Sequence, residues 1–150
     1  MNPPGQEGVV GRLVRLSKAI HRNSSEEILG MGLRSFVVLS YLHERSPVTQ
    51  QELGDAMCLD ANSIVLLLHE VEDGGYIVRK RDPADRRRHI VELTDAGRKA
   101  YAHAQQGRES IEDKVLVGLS PEEREQLSAL ISKALDGLAR TQPVFSDAAA

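Results

Sequence analysis

The chain is poor in cysteine: Cys58 stands alone among 150 residues. That excludes an intrachain disulfide and suits a reducing cytoplasm. Cys58 falls between two helical patterns, where a small buried residue is expected, and nothing basic lies beside it in sequence to favour its thiolate. No apolar run approaches the roughly 20 residues of a membrane helix. The opening MNPPGQEGVV has no basic stretch leading into an apolar one, so no secretory signal is expected. His21, His43, His69, His89 and His103 show no HxxH or HxxxH spacing, which argues against a zinc site. A nucleophile elbow, a phosphate-binding glycine loop and a metal-ligand motif are all missing, and no acid–base pair can be assembled. An enzyme is therefore not expected, nor is a cofactor.

What is present is an ordinary globular composition, 41% hydrophobic and 27% charged. It fits one compact domain, or one domain with an oligomerisation extension. The net charge of −3 by itself speaks against a nucleic-acid partner. Its distribution speaks the other way. Between Arg79 and His89, six cations (Arg79, Lys80, Arg81, Arg86, Arg87, Arg88) face two anions (Asp82, Asp85). Affinity for phosphates follows such local patches, not the global sum. The acidic excess lies mainly from Glu109 to Glu125.

The stretch from Leu59 to Arg98 organises the rest. Asp60 is a good N-cap, because its side-chain oxygen can accept a free N–H of the first helical turn. Ile64, Leu67, Leu68 and Val71 then share one stripe suited to a core. Asn62, Leu66, His69 and Asp73 project from the opposite face, with Ser63 and Val65 beside them. Gly74 and Gly75 supply the left-handed residue that ends a helix without steric cost. Tyr76 to Arg81 and His89 to Leu93 alternate apolar with polar residues as half-exposed strands do. Asp82-Pro83-Ala84-Asp85 between them fits a type I turn. A helix followed by a basic hairpin outlines a winged helix that reads DNA.

Elsewhere helices prevail. Residues 1–7 are polar with two prolines and expected to fray. A helix from Gly8 to about Arg22 has Val9, Leu13, Leu16 and Ile20 on one face and Arg12, Arg15, Lys18 and Arg22 on another. Asn23-Ser24-Ser25 breaks it, with Glu26 to Met31 continuing as a bent helix. Leu33 to His43 reads as a buried helix. Thr49 to Glu52 is a capping-box pattern opening a short helix through Met57, so that helix-turn-helix results. Thr94 can cap a long helix with Ala96, Ala100, Ala104 and Ile111 on one face. Ser120-Pro121-Glu122-Glu123 starts another, in which Leu127, Leu130, Ile131, Ala134, Leu135 and Leu138 repeat at helical spacing. The final QPVFSDAAA has little to hold it. The apolar stripes of the first and last helices lie outside the helix-turn-helix core, which predicts burial in a homodimer.

The segment Asp82 to Arg98 resembles the wing signature of the MarR (multiple antibiotic resistance regulator) transcription factors. That signature reads D-x-R, a short hydrophobic strand, then L-T-x-x-G-R. Gly32-Leu33, Leu53-Gly54-Asp55-Ala56 and Leu59-Asp60 fit in register, and the resemblance spans about residues 10–140. It implies a mainly α fold with a small β-wing: about six helices and a two-stranded hairpin, in an intertwined homodimer. Residues 1–30 would form an N-terminal dimerisation helix, 31–98 the winged helix-turn-helix, and 99–150 the C-terminal dimerisation helices and tail.

It further implies a cytoplasmic repressor binding double-stranded operator DNA, with recognition helices in successive major grooves. Arg87 would enter the minor groove, its guanidinium held by Asp85 through a charge-assisted hydrogen bond. Arg86 and Arg88 would flank it near phosphates, and Arg79 belongs to the same basic surface. Many members carry polar or basic residues where this chain has Val65 and Leu66. Base readout therefore rests on Asn62, Ser63 and His69, with Val65 and Leu66 against thymine methyls. A small aromatic or anionic effector is implied between the first two helices and the long helix after Thr94. Arg15, Arg22 and Arg34 are candidate partners for an anion there. An effector-independent DNA-binding or architectural module is the alternative.

Overall fold

Helix starts in this chain are set by side-chain caps. In the computed structural model, which describes residues 7–141, α1 (Val9–Asn23) is followed by the one-turn α2 (Glu26–Leu29). The Ser25 hydroxyl accepts the Ile28 N–H, and Gly30 at φ 74° ends α2 in the left-handed region. The expected bend near Asn23 is thus a complete break. The buried helix α3 (Leu33–Arg45) leads into a two-residue strand β1 (Val48–Thr49) and then α4 (Gln50–Ala56). Both bonds of the capping box form: Glu52 N–H to the Thr49 hydroxyl at 3.1 Å, and Thr49 N–H to the Glu52 carboxylate at 2.9 Å. Next come α5 (Ala61–Asp73), β2 (Ile77–Arg81), β3 (His89–Leu93), α6 (Asp95–Val115) and α7 (Pro121–Thr141). Ser120 and Glu123 close the second predicted box. The expected frayed start and the QPVFSDAAA tail lie outside the described residues, apart from Glu7.

The sheet has three antiparallel strands in the order β1-β3-β2, not the two expected. Val48 pairs with Val91 and Thr49 with Ile90, while Arg79 sits opposite Val91 on the other edge. A strand of two residues has no alternation to read, and Thr49 carries a cap signal at the same time. Its role is to fasten the wing to the start of α4.

The core is assembled from α3, α4, α5 and the sheet, where Leu39, Leu42, Leu53, Leu68 and Val91 are fully enclosed. Ile64, Leu67, Leu68 and Val71 all face inward, as their spacing predicts. The inner face of α6 departs from the expected one. Gly97, Ala104, Gly107 and Ile111 are buried, whereas Ala96 is exposed. A Cβ at Gly97 would strike the Tyr76 carbonyl, and one at Gly107 the Ile28 carbonyl, so these two positions let α6 approach the wing base and α2. Neither α1 nor α7 has a buried residue. Val9, Leu13, Leu130, Ile131, Leu135 and Leu138 are exposed, while Leu16, Ile20 and Leu127 are half-buried. No helix among the described residues is long and apolar enough to cross a membrane.

Candidate nucleic-acid interface

α5 begins at Asp60, whose carboxylate accepts the Ser63 N–H at 2.7 Å. That bond holds the Asp60 carboxyl below its ordinary pKa and satisfies a donor the helix cannot satisfy itself. With the inner stripe anchored in the core, Asn62, Leu66 and His69 are left on the solvent side. Leu66 is 71% exposed, a large apolar side chain with no intramolecular neighbour to cover it. Ser63 and Val65 are half-buried on the flanks. Gly75, at φ 79°, supplies the left-handed residue after α5, while Gly74 keeps an ordinary helical φ of −70°. The chain then turns straight into β2.

The wing tip is built on two aspartates. Asp82 accepts the Ala84 N–H at 2.9 Å, and its own N–H donates to the Arg88 carbonyl at 2.9 Å. The backbone bond expected across 82–85 lies one turn later, from Arg88 N–H to the Asp85 carbonyl. Asp85 carries three donors from Arg87: the backbone N–H at 3.1 Å, Nε at 3.1 Å and Nη2 at 3.3 Å. The guanidinium is therefore gripped along one edge by both carboxylate oxygens, yet the side chain is 90% exposed. The Arg87 side-chain bonds, then its backbone N–H, pull the Asp85 carboxyl below its ordinary pKa. Arg88 approaches the same carboxylate at 3.6 Å. Arg86 is exposed, and its carbonyl accepts a bond from Arg81 Nη1 at 3.2 Å.

Arg79 stands apart from the other wing arginines. Its side chain is only 14% exposed, and Nε donates to the Glu72 carboxylate at 2.6 Å. Nη2 meets His69 Nδ1 at 3.0 Å. The guanidinium thus bridges β2 to α5. Glu72 was not singled out from sequence; its spacing of three from His69 places both on one face, but nothing local shows that the hairpin folds over them.

Other participants also escaped the sequence. A cleft of about 270 Å3 lies between α4, the start of α5 and the wing, lined by Gln50, Gln51, Asp55, Arg87, Arg88 and His89 among others. Thr94 joins the wing base to α6: its hydroxyl accepts the Gly97 N–H and donates to the Gly75 carbonyl at 2.6 Å. Cys58, expected to be buried, is exposed in the α4–α5 turn with φ 55°. The turn requires a left-handed residue there, which swings the side chain away from the core.

A helix-turn-helix whose exposed second helix adjoins an arginine-tipped hairpin has counterparts among known proteins. The sequence pattern described as the MarR family matches residues 33–89, from the start of α3 to the start of β3. The chain is 31% identical over 113 residues to the uncharacterized HTH-type transcriptional regulator YkoM of Bacillus subtilis (strain 168). That match covers 75% of this chain and 72% of the relative. The crystal structure of MarR superposes with a TM-score of 0.75 at 22% identity, covering 93% of this chain and 97% of that one. The S. aureus MepR–DNA complex gives a TM-score of 0.70 at 23% identity, covering 89% and 100%. These two structures share the fold. Together with the match to YkoM and the wing signature, they place the chain in the MarR family of winged helix-turn-helix transcriptional regulators.

Proposed function

We propose that this protein is a cytoplasmic, ligand-responsive repressor that binds a palindromic operator as a homodimer. One observation carries the reading: α5 offers Asn62, Leu66 and His69 to solvent beside a wing whose exposed Arg87 is held by Asp85. In this arrangement α5 enters the major groove. Asn62 and Ser63 supply hydrogen bonds, and Val65 and Leu66 contact thymine methyls. Arg87 occupies the minor groove, with Arg86 and Arg88 near phosphates. MepR, which shares the fold, is bound to DNA in its structure, and this supports the assignment.

Dimerisation through residues 1–30 and 99–150 rests on the uncovered stripes of α1 and α7. Val9, Leu13, Leu130, Ile131, Leu135 and Leu138 are apolar and exposed in the single chain. A two-fold pair of recognition helices would match half-sites about one helical turn apart.

The effector reading needs open space near the dimer helices. The junction of α1, α2 and α6 is close-packed where Gly107 meets Ile28, and Arg15 there pairs with Glu7 at 2.7 Å. A groove of about 680 Å3 lies instead between α3, α4 and α7, with Val37, Tyr41, Met57, Leu135 and Leu138 in its wall. Its rim carries Glu44, Glu52, Asp55 and Asp136 against Arg45, which suits a neutral or cationic aromatic molecule better than an anion. An occupant would separate a dimer helix from the helix-turn-helix, so it could change the spacing of two recognition helices.

Selection of duplexes from a random library, followed by footprinting with and without a panel of phenolic and aromatic-amine compounds, tests the whole reading. A protected palindrome lost on adding a ligand is the expected result. No selected duplex would overturn DNA binding. Unchanged affinity at saturation, for every compound shown independently to bind, would leave an effector-independent module.

A further inference from the structure

Arg79, Glu72 and His69 form a connected group at the angle between β2 and α5. The Arg79 guanidinium has donors only. It spends Nε on Glu72 at 2.6 Å and Nη2 on His69 Nδ1 at 3.0 Å. To receive that second bond, Nδ1 must offer a lone pair. A neutral imidazole in that state carries its proton on Nε2. His69 is exposed, and Nε2 has no partner among the described residues.

We propose that Arg79 is a positioning residue, not a DNA contact: by bridging Glu72 and His69 it fixes His69 as an outward hydrogen-bond donor toward a base edge. This rests on the reading that α5 lies in the major groove. His69 follows Asn62 by seven residues, two turns of helix, so the two side chains line up along the same exposed face. In that groove guanine offers N7 and O6, adenine N7 and thymine O4 as acceptors, while cytosine offers its amino group as a donor. A ring locked with Nε2–H outward favours the first three and opposes the last. A free imidazole could present either nitrogen in either state and would discriminate less. Glu72 holds the guanidinium in its plane, so its part is one step further from DNA.

The test uses the full chain and a duplex selected with it from a random library. Two variants are compared with the parent: Arg79→Met, which removes the donors, and Arg79→Lys, which keeps the charge but cannot span both partners. Long-range 1H–15N NMR reads the His69 tautomer directly. The expected result is an Nε2–H ring in the parent and a mixture of tautomers in both variants. With it, discrimination against cytosine at the base pair facing His69 falls about fivefold, the worth of one hydrogen bond. The salt dependence stays that of the parent, since no phosphate contact is lost. In a His69→Gln background, whose amide brings its own donor, adding Arg79→Met should change discrimination little. Arg79→Lys supplies the answer if Arg79→Met does not fold.

A tautomer unchanged in the variants overturns the proposal. So does a salt slope lower by about one phosphate per subunit, which would make Arg79 a direct backbone contact. A parent with the expected tautomer that binds no duplex would overturn the DNA role, and the failure would then be traced to the functional reading and not to the Arg79 bridge.

Discussion

Leu68 in α5 and Leu130 in α7 both sit in helices that repeat leucine at helical spacing, yet Leu68 is fully enclosed and Leu130 is 65% exposed. The contrast extends to their surroundings. From α3 to β3 the chain completes a core of its own: Val38, Leu39, Leu42, Leu53, Ile77 and Val91 are buried along with Leu68. In α1 and α7 no residue is buried at all. Burial of a leucine is worth about 1.5–3 kcal/mol. The head therefore has its stabilisation within one chain, while the outer helices hold an equivalent apolar surface whose burial must come from another.

The comparison is sharpened most by truncating one leucine in each region. Leu68→Ala leaves a cavity under α5 and should cost about 2–5 kcal/mol in denaturant unfolding. Leu130→Ala removes no intrachain packing, so its effect should appear only where chains associate and should grow with protein concentration. Equal, concentration-independent losses at the two sites would break the distinction between a self-sufficient head and dependent outer helices.

A charge placed on the outer stripe asks whether the two regions are separable. Leu135 is 54% exposed, and Leu135→Glu should convert the dimer to monomer in sedimentation while circular dichroism keeps its helical signal. Affinity for a two-half-site duplex should then fall more than tenfold, because the second half-site is no longer held at high effective concentration. A dimer that survives this substitution puts the interface elsewhere.

Within the head, helix and wing should fail differently. Asn62→Ala should cost a selected duplex about 1–3 kcal/mol and leave non-specific binding nearly intact. Arg87→Ala should weaken binding to all duplexes and lower the salt slope by about one phosphate per subunit. Binding as tight as the parent's at every salt concentration, with Arg87 replaced, would dismiss the wing as a DNA contact.

How much of this was legible in the sequence follows from the range of each interaction. The caps at Thr49, Asp60 and Ser120 span three residues, so the sequence carries both partners of each bond. The Asp85–Arg87 clamp is equally local, two residues apart. The inward stripe of α5 was readable because four apolar residues mark it. The inner face of α6 was only half readable: Gly97 and Gly107 make its closest approaches, and glycine adds no apolar weight to a periodic pattern. Arg79 looked like its neighbours in a run of cations. Its partners Glu72 and His69 lie seven and ten residues back, and only the angle between hairpin and helix brings them together. β1 was hidden by its length, and the exposure of Cys58 by a left-handed turn that no glycine or asparagine announces.

The smallest expected effect concerns the clamp that distinguishes Arg87 from Arg79. Asp85 is held below its ordinary carboxyl value of 3.8, first by the Arg87 side chain and then by the Arg87 backbone N–H, with the Arg88 charge adding to both. A carboxylate whose folded pKa is depressed contributes stability above its unfolded value, and that contribution is lost as pH falls through the lower folded value. At neutral pH the clamp is therefore intact and flat with pH, and it opens only in acid, below 3.8. Both partners are solvent-accessible, so screening keeps the energetic consequence small. The shift itself is still measurable. A carbon-13 titration of the Asp85 carboxyl should give a midpoint below 3.8 in the parent. In Arg87→Ala the midpoint should move back toward that value without reaching it, because the backbone N–H and Arg88 remain. A midpoint that Arg87→Ala leaves in place would mean that the guanidinium does not hold the carboxylate in solution. The exposed wing arginine would then be no better oriented than any other surface cation.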